Sequence, residues 1–319
     1  MSTLIKIGCV GLGNIGRHLA ANLIAAGYDV TVHDLHREAA QPLIEAGATW
    51  ADSPAEVASS TDSVITCLPS VAAITAVVAG ERGLLEGFRP GSTWIDMSTN
   101  DRHELLRLAD LLRAKGVTTL EAPVTGGAHN ASSATITVLV GGDEAVYQRH
   151  ADVFSAVGGR VFFLGELGQA AVIKVITNML AFIHIAATAE AYMLAARAGI
   201  DLRQAWEIIK ASSGNSFIHE TESTTILSGS YDIGFSLDLS CKDLGFAMQL
   251  GRELDVPLDI AGTVEQLNIR ARAAYGGSAG SPMVARLLET ACGVDLRAPG
   301  FPADLDEYLA TMPRAERPN

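Results

Sequence analysis

The stretch Ile7-Gly-Cys-Val-Gly11-Leu-Gly13-Asn-Ile-Gly16 joins a short apolar run to three glycines in the spacing G-x-G-x-x-G. The apolar residues of Leu4–Val10 predict a buried strand, and Asn14–Ala26 predicts a helix. In this context the first glycine permits a tight turn, the second lets a phosphate approach the backbone, and the third lets the helix pack against the strand. The pattern predicts a dinucleotide-binding βαβ unit. The residues expected to contact the cofactor are Gly11, Leu12, Gly13, Asn14, Ile15 and Gly16.

An acidic residue follows the second predicted strand, Asp29–His33. This residue, Asp34, lies 18 residues beyond Gly16. Its carboxylate can accept hydrogen bonds from both hydroxyls of the adenosine ribose, and it repels a 2′-phosphate. We therefore expect the cofactor to be NAD. Arg37 could pair with a 2′-phosphate, which leaves NADP as the less favoured alternative.

The first half of the chain alternates strand and helix patterns, which is typical of a mainly parallel sheet. The further predicted strands are Val64–Leu68, Thr93–Met97, Val117–Leu120, Ile136–Val140 and Val161–Leu164. No strand pattern follows Gly165. The sequence therefore predicts an α/β fold with an N-terminal, doubly wound Rossmann sheet over residues 1–165. An all-α domain is predicted over 166–319, joined to the sheet by a long helix at about 168–198.

Composition limits the class of protein and its partners. The 319 residues are 48% hydrophobic and 18% charged, which predicts a globular protein with a large core. A net charge of −13 argues against nucleic acid and anionic membranes as partners. No apolar run reaches the ~18 residues of a membrane span and no signal peptide is recognised, so we expect a cytoplasmic protein. The four cysteines show no C-x-x-C spacing, which predicts reduced thiols and no metal site.

A lysine lies inside one of the most apolar stretches of the chain. Lys174 is one of only five lysines among the 23 basic residues, and Asn178 follows it by one helical turn. A buried ammonium is costly unless it is paired, and burial lowers its pKa toward neutrality, which makes the amine a usable proton donor and acceptor. The alternative interpretation is that Lys174 extends its ammonium group to solvent from the edge of a helix.

Polar and glycine-rich segments follow several predicted strands, where ligands collect in doubly wound folds. The segment Glu121-Ala-Pro-Val-Thr125-Gly126-Gly127 places a hydroxyl beside two backbone N–H groups and predicts a cradle for a carboxylate. In the second half, Ser240-Cys-Lys-Asp243 fits a capping box, so we interpret Asp243 as a helix cap.

These residues together resemble the β-hydroxyacid dehydrogenase family, which includes 3-hydroxyisobutyrate dehydrogenases and tartronate semialdehyde reductases. The resemblance runs in order over about residues 5–290. It implies a Rossmann domain joined by a long helix to an all-α domain, and a homodimer or homotetramer. The segments that carry it are Gly-Leu-Gly-Asn-Ile-Gly-Arg-His-Leu-Ala-Ala-Asn-Leu (11–23), Asp-Met-Ser-Thr (96–99), Ala-Pro-Val-Thr-Gly-Gly (122–127), Lys174 with Asn178, and Lys242-Asp243.

The resemblance also implies roles for single residues. Lys174 becomes the catalytic acid/base. The substrate carboxylate is expected on Thr125, Gly126, Gly127 and Asn178. The nicotinamide end of the cofactor is expected beside Leu68, Pro69, Thr99 and Lys242.

Three positions depart from the family pattern. Thr125 stands where serine is usual, Ala134 where glycine is usual, and Phe217 where tryptophan is common, with His219 two residues later. We expect substrate choice to depend on Phe217, His219 and Phe235 as well as on Thr125.

The expected activity is NAD-dependent interconversion of a small anionic 3-hydroxy acid and its semialdehyde or 3-oxo acid. Two alternatives remain at this point: an imine reductase-like enzyme, and a non-catalytic NAD-binding scaffold. Lys174 argues against the first because related imine reductases lack this lysine. A scaffold has no use for a buried amine, which argues against the second.

Overall fold

The computed structural model describes residues 5–311 and divides into two compact units, the first ending at Lys174 and the second starting at Val175. The first unit is an α/β sandwich and the second is helical. The predicted fold class is thus confirmed. The division between the units lies inside the long helix.

The first unit is built on a nine-stranded sheet in the order β3-β2-β1-β4-β5-β6-β8-β7, with β9 paired to β8. The pairs from β3 through to β6 are parallel, whereas β8 runs antiparallel to β6 and β7. The strands are β1 (Ile7–Val10), β2 (Val30–His33), β3 (Thr49–Trp50), β4 (Ser63–Thr66), β5 (Thr93–Asp96), β6 (Thr118–Glu121), β7 (Val124–Thr125), β8 (Ile136–Gly142) and β9 (Gly158–Phe163).

Helices of the first unit cover both faces of this sheet, and every residue of β1, β4 and β5 is therefore buried. Ile7 and Cys9 contribute to the core on one face, while Val10 and Trp94 contribute to the core on the other. The helices are α1 (Gly16–Ala25), α2 (Gln41–Glu45), α3 (Pro54–Ser60), α4 (Val71–Ala79), α5 (Leu84–Gly87), α6 (Arg102–Arg113), α7 (Gly127–Ser132), α8 (Glu144–Arg149) and α9 (Ala151–Val157), with a 3₁₀ turn at Arg37–Ala40.

The second unit consists of helices around one apolar core. The long helix α10 (Gln169–Arg197) starts in the first unit and continues into the second. It is followed by α11 (Leu202–Lys210), α12 (Phe217–Glu220), α13 (Ser223–Ser228), α14 (Leu237–Glu253), α15 (Asp259–Tyr275), a 3₁₀ turn at Ser281–Met283, α16 (Val284–Cys292) and α17 (Leu305–Thr311).

The helix α10 corrects one expectation from the sequence. Among residues 5–311 it is the one helix long and apolar enough to cross a membrane, with a mean hydropathy of 1.8 over an 18-residue window. Length and composition do not by themselves separate a membrane span from the core helix of a globular domain. In this chain α10 supplies Phe182, Ile185 and Tyr192 to the core of the second unit.

Candidate active site

The glycine-rich loop between β1 and α1 has the geometry that a dinucleotide requires. Gly11 adopts φ +92° and lies against the backbone of Cys67, and a side chain at Gly16 would collide with the carbonyl oxygen of Gly11. Gly13 is exposed, and a Cβ there would meet no heavy atom within 4 Å. The loop therefore packs closely at its first and third glycines and leaves open backbone at the second, where a pyrophosphate fits.

Asp34 is fixed beside this loop. Its carboxylate accepts hydrogen bonds from the backbone N–H of Leu12 at 2.7 Å and of His36 at 2.9 Å. Nearby, the guanidinium of Arg37 lies 5.3 Å from the centre of the Trp50 ring, within cation–π distance. Asp34, the predicted ribose acceptor, is thus held in place after β2. Arg37 follows it and stacks on Trp50 of β3.

The loops after β4 and β5 are organised by Asp96, for which no role in the site was predicted. Its buried carboxylate accepts hydrogen bonds from Thr66 Oγ1, the Ser98 backbone and Asn100 Nδ2, at 3.0, 3.1 and 2.9 Å. Burial raises the pKa of Asp96, and these hydrogen bonds oppose the shift. The Ser98 hydroxyl in turn accepts from the Leu68 N–H at 3.0 Å. The other two predicted cofactor contacts on these loops are the exposed Pro69 and the half-buried Thr99.

The predicted carboxylate cradle is a left-handed turn between β7 and α7. Gly126 and Gly127 adopt φ values of +122° and +82°, which glycine tolerates without strain. The side chain of Asn130 donates to the Gly126 carbonyl at 2.9 Å and holds the turn. Thr125 is half-buried and Gly127 is exposed, so a hydroxyl and backbone amides are available on one short segment.

Glu121 ends β6 four residues before Thr125, and no role was predicted for its side chain. Its side chain is 1% exposed. It accepts hydrogen bonds from the backbone N–H groups of Gly168, of Ala170 at 3.0 Å and of Ala171 at 2.8 Å. Desolvation by burial raises the pKa of Glu121 to about 7, against the effect of these hydrogen bonds. A carboxylate on the sheet therefore caps the start of the helix that carries Lys174.

Lys174 and Asn178 on α10 are both buried, and they are 7% and 9% exposed. Within the second unit, Asn178 Nδ2 donates to Asp243 Oδ2 at 2.6 Å, and Lys242 Nζ lies 3.3 Å from Asp243 Oδ1. The helix α14 starts at Leu237 and is capped by Ser236, so the interpretation of Asp243 as a helix cap was wrong. Asp243 is instead a fully buried partner of two predicted site residues.

The aromatic residues that were expected to shape substrate choice lie in or against the core of the second unit. His219 is fully buried, with one ring nitrogen 3.2 Å from the Tyr192 hydroxyl and the other 2.9 Å from the Trp206 carbonyl. Burial lowers its pKa. This placement makes His219 a core residue and corrects its assignment as a substrate contact. Phe217 and Phe235 are half-buried against the same core.

Comparison with protein families covers nearly the whole chain. Residues 6–165 match the family model described as the NAD binding domain of 6-phosphogluconate dehydrogenase. Residues 168–288 match the model described as NAD-binding of NADP-dependent 3-hydroxyisobutyrate dehydrogenase. The two models meet at the start of α10.

Individual proteins are similar over their full length. The chain is 32% identical to 2-(hydroxymethyl)glutarate dehydrogenase of Eubacterium barkeri over 93% of this chain and 99% of that protein. It is 34% identical to L-threonate dehydrogenase of Cupriavidus necator over 88% and 95%. The crystal structure of 3-hydroxyisobutyrate dehydrogenase from Salmonella typhimurium superimposes with a TM-score of 0.83 at 31% identity, covering 89% of this chain and all of that one.

Proposed function

The chain belongs to the β-hydroxyacid dehydrogenase family and is an NAD(P)-dependent 3-hydroxyacid dehydrogenase, and on this premise we propose that Lys174 is the general acid/base that acts on the β-hydroxyl of a small anionic substrate. The observation that carries the proposal is the pair of buried polar residues on α10, Lys174 and Asn178, set one turn apart in a strongly apolar helix. Burying an ammonium group costs free energy, so a lysine in this apolar stretch is unusual. Asn178, one turn later, is oriented by its hydrogen bond to Asp243.

The substrate class is supported by what the relatives share. Their names specify 2-(hydroxymethyl)glutarate, L-threonate and 3-hydroxyisobutyrate. Each of these acids carries a hydroxyl on the carbon β to a carboxylate. Because the protein's net charge of −13 opposes an anion, the attraction must be local. The Thr125 hydroxyl and the Gly126 and Gly127 amides provide such local donors.

The mechanism assigns one task to each group. Thr125, Gly126 and Gly127 hold the substrate carboxylate and thereby fix the position of the β-carbon. The Lys174 amine removes the hydroxyl proton during oxidation and returns it to the carbonyl oxygen in reverse. NAD, when bound at the Gly11–Gly16 loop, supplies the hydride acceptor. General acid/base transfer of this kind typically accelerates a reaction by about 10²–10⁴-fold.

Turnover of 3-hydroxy acids tests this proposal. Absorbance at 340 nm is followed across a panel that includes 3-hydroxyisobutyrate, L-threonate and 2-(hydroxymethyl)glutarate, each with NAD and with NADP. We expect turnover with at least one acid and loss of turnover when its carboxylate is esterified. Equal turnover of the ester would contradict the carboxylate cradle. Absence of turnover with every acid, with NAD still bound, would contradict the proposed activity.

We also propose that NAD is preferred over NADP because Asp34 meets the adenosine ribose. Replacing Asp34 with asparagine removes the charge that repels a 2′-phosphate, while Arg37 stays in place. We expect the ratio of kcat/KM with NADP to kcat/KM with NAD to rise by about tenfold or more, since like-charge contacts cost several kcal/mol. The matched control is Asp52→Asn, because Asp52 lies at the same edge and accepts from Trp50 Nε1. An unchanged ratio in Asp34→Asn would remove Asp34 as the determinant.

The proposed assembly of the protein follows from its exposed apolar side chains. Several large apolar side chains of the second unit are exposed, among them Leu194 (74%), Ile208 (58%) and Ile260 (67%). Exposed apolar area of this type supports association of copies. We propose a homodimer or homotetramer in the cytoplasm, with no nucleic-acid or membrane partner. Light scattering of the purified protein measures the assembly, and a monomer would contradict it.

A further inference from the structure

We propose that Glu121 is a positioning residue for the reaction, whose carboxylate holds the first turn of α10 against the sheet and so sets the position of Lys174 relative to the Thr125–Gly127 turn. The inference rests on the proposed function, because it concerns the placement of the amine that transfers the proton. Glu121, the turn and Lys174 all belong to the first unit.

The contacts show that the start of α10 is anchored by a distant residue. The first N–H groups of a helix have no partner within the helix and need acceptors from elsewhere. Glu121 accepts three of them, from Gly168, Ala170 and Ala171, across 47 to 50 residues of sequence. A helix capped by its own neighbouring residue could shift with its loop, whereas this helix start is tied to the end of β6.

The surroundings of Glu121 leave space for this carboxylate. Gly141 of β8 lies opposite Glu121 in the antiparallel register, and a Cβ at Gly141 would collide with Glu121 Oε1. Gly168 adopts φ +97°, which directs its N–H to the carboxylate at little conformational cost. Two charged residues lie near the cap: Asp96, in register on β5, and Arg102, whose side chain packs on Gly168.

Stability alone does not account for a carboxylate at this position. Burying a carboxylate costs free energy, and a buried charged group with its partners is often no more stabilising than a well-packed apolar replacement. Burial raises the pKa of Glu121 to about 7, and Asp96 adds to the shift, which reflects that cost. Geometry is what the carboxylate provides, because three directed hydrogen bonds fix the helix start in orientation as well as position.

Both Lys174 and Thr125 lie a few residues from the contacts made by Glu121. Lys174 is three residues after Ala171, within about one turn of the cap. Thr125 is four residues after Glu121 on the same strand-to-turn segment. One carboxylate therefore joins the amine and the substrate cradle, and a displacement of 1 Å between reacting groups can lower a rate by about 10²-fold.

Glu121→Gln tests the proposal with little change in volume. One carboxylate oxygen becomes an NH₂ donor that faces backbone N–H donors, so the cap cannot be satisfied. We expect kcat for a 3-hydroxy acid to fall by about 10- to 100-fold, with the Kd of NAD within about twofold because the Gly11–Gly16 loop is untouched. The matched control is Asp143→Ala, which removes the cap on α8 that accepts from Val146 N at 2.9 Å. This control should lower Tm without lowering kcat.

The outcomes separate the inference from the proposed function. If the parent enzyme turns over and Glu121→Gln retains its kcat within about twofold, Glu121 is a structural residue and the inference fails. If the parent enzyme oxidises no 3-hydroxy acid, the proposed function fails, and hydrogen exchange still decides whether the helix start is anchored. Faster exchange at Ala170 and Ala171 in Glu121→Gln, but not in Asp143→Ala, supports the anchor, and unchanged exchange overturns it.

A second variant disturbs the same cap through Gly141, which lies opposite Glu121 on β8. If Glu121→Gln does not fold, Gly141→Ala is measured instead, because its methyl group displaces the Glu121 carboxylate without changing its charge. The same fall in kcat and the same local exchange are expected. Parental kcat and exchange in this variant would contradict the inference.

Discussion

Replacing Lys174 with methionine is expected to lower kcat by about 10²–10⁴-fold while the Kd of NAD stays close to that of the parent enzyme. Methionine keeps an unbranched side chain in the apolar helix and removes only the amine, so α10 should fold normally. The variant loses the group that transfers the proton to and from the substrate oxygen. Steady-state kinetics with the best acid of the panel, and NAD titration by fluorescence, measure the two quantities separately.

The control for this variant is Lys210→Met. Lys210 forms an ion pair with Glu220 at 3.2 Å and lies 5.3 Å from the centre of the Trp206 ring. It has no role in the proposed mechanism. Its replacement should leave kcat unchanged. Parental turnover in Lys174→Met would show that another group transfers the proton. A joint loss of turnover and of folded protein would instead point to packing.

Two alanine substitutions in the glycine-rich loop, three residues apart, are expected to have different effects on the stability of the protein. At Gly16 a methyl group would collide with the Gly11 carbonyl oxygen, so Gly16→Ala should destabilise the protein by about 1–3 kcal/mol or more. At Gly13 the added methyl group meets no protein atom. Gly13→Ala should therefore change the stability of the ligand-free protein by no more than about 0.5 kcal/mol.

NAD affinity should instead be affected by the substitution at Gly13. The methyl group of Gly13→Ala occupies the space through which a pyrophosphate approaches the loop, so the Kd of NAD should rise by about tenfold or more, equivalent to 1.4 kcal/mol. Denaturant unfolding without NAD and NAD titration of the folded variant measure the pair. Normal NAD affinity in Gly13→Ala would place the pyrophosphate elsewhere. Unchanged stability in Gly16→Ala would show that the loop yields to the methyl group.

The features that could be predicted from the sequence are those that depend on residues close together along the chain. Apolar runs separated by amphipathic segments predicted the parallel sheet, and the glycine spacing of residues 11–16 predicted a tight loop between β1 and α1. The caps at the starts of α3 and α6 are equally local, because Ser53 and Asp101 each accept a hydrogen bond from the backbone N–H three residues later. The apolar neighbours of Lys174 indicated a buried amine but left open that it extends to solvent, and the structure shows it 7% exposed. Periodicity and capping act over a few residues, so they can be read without a structure.

Contacts between residues far apart along the chain could not be predicted and were found in the folded structure. Glu121 caps a helix start some 50 residues away, and Asp243 pairs with Asn178 across 65 residues, although a local capping pattern had suggested another role for Asp243. His219 follows the same rule, since its two partners lie on α10 and α11 and enclose it in the core. In each case the polar group is buried, and a buried polar group takes whatever partner the packing of distant elements brings within hydrogen-bond distance. That choice is made by the three-dimensional arrangement of helices and strands, because spacing along the chain carries no information about it.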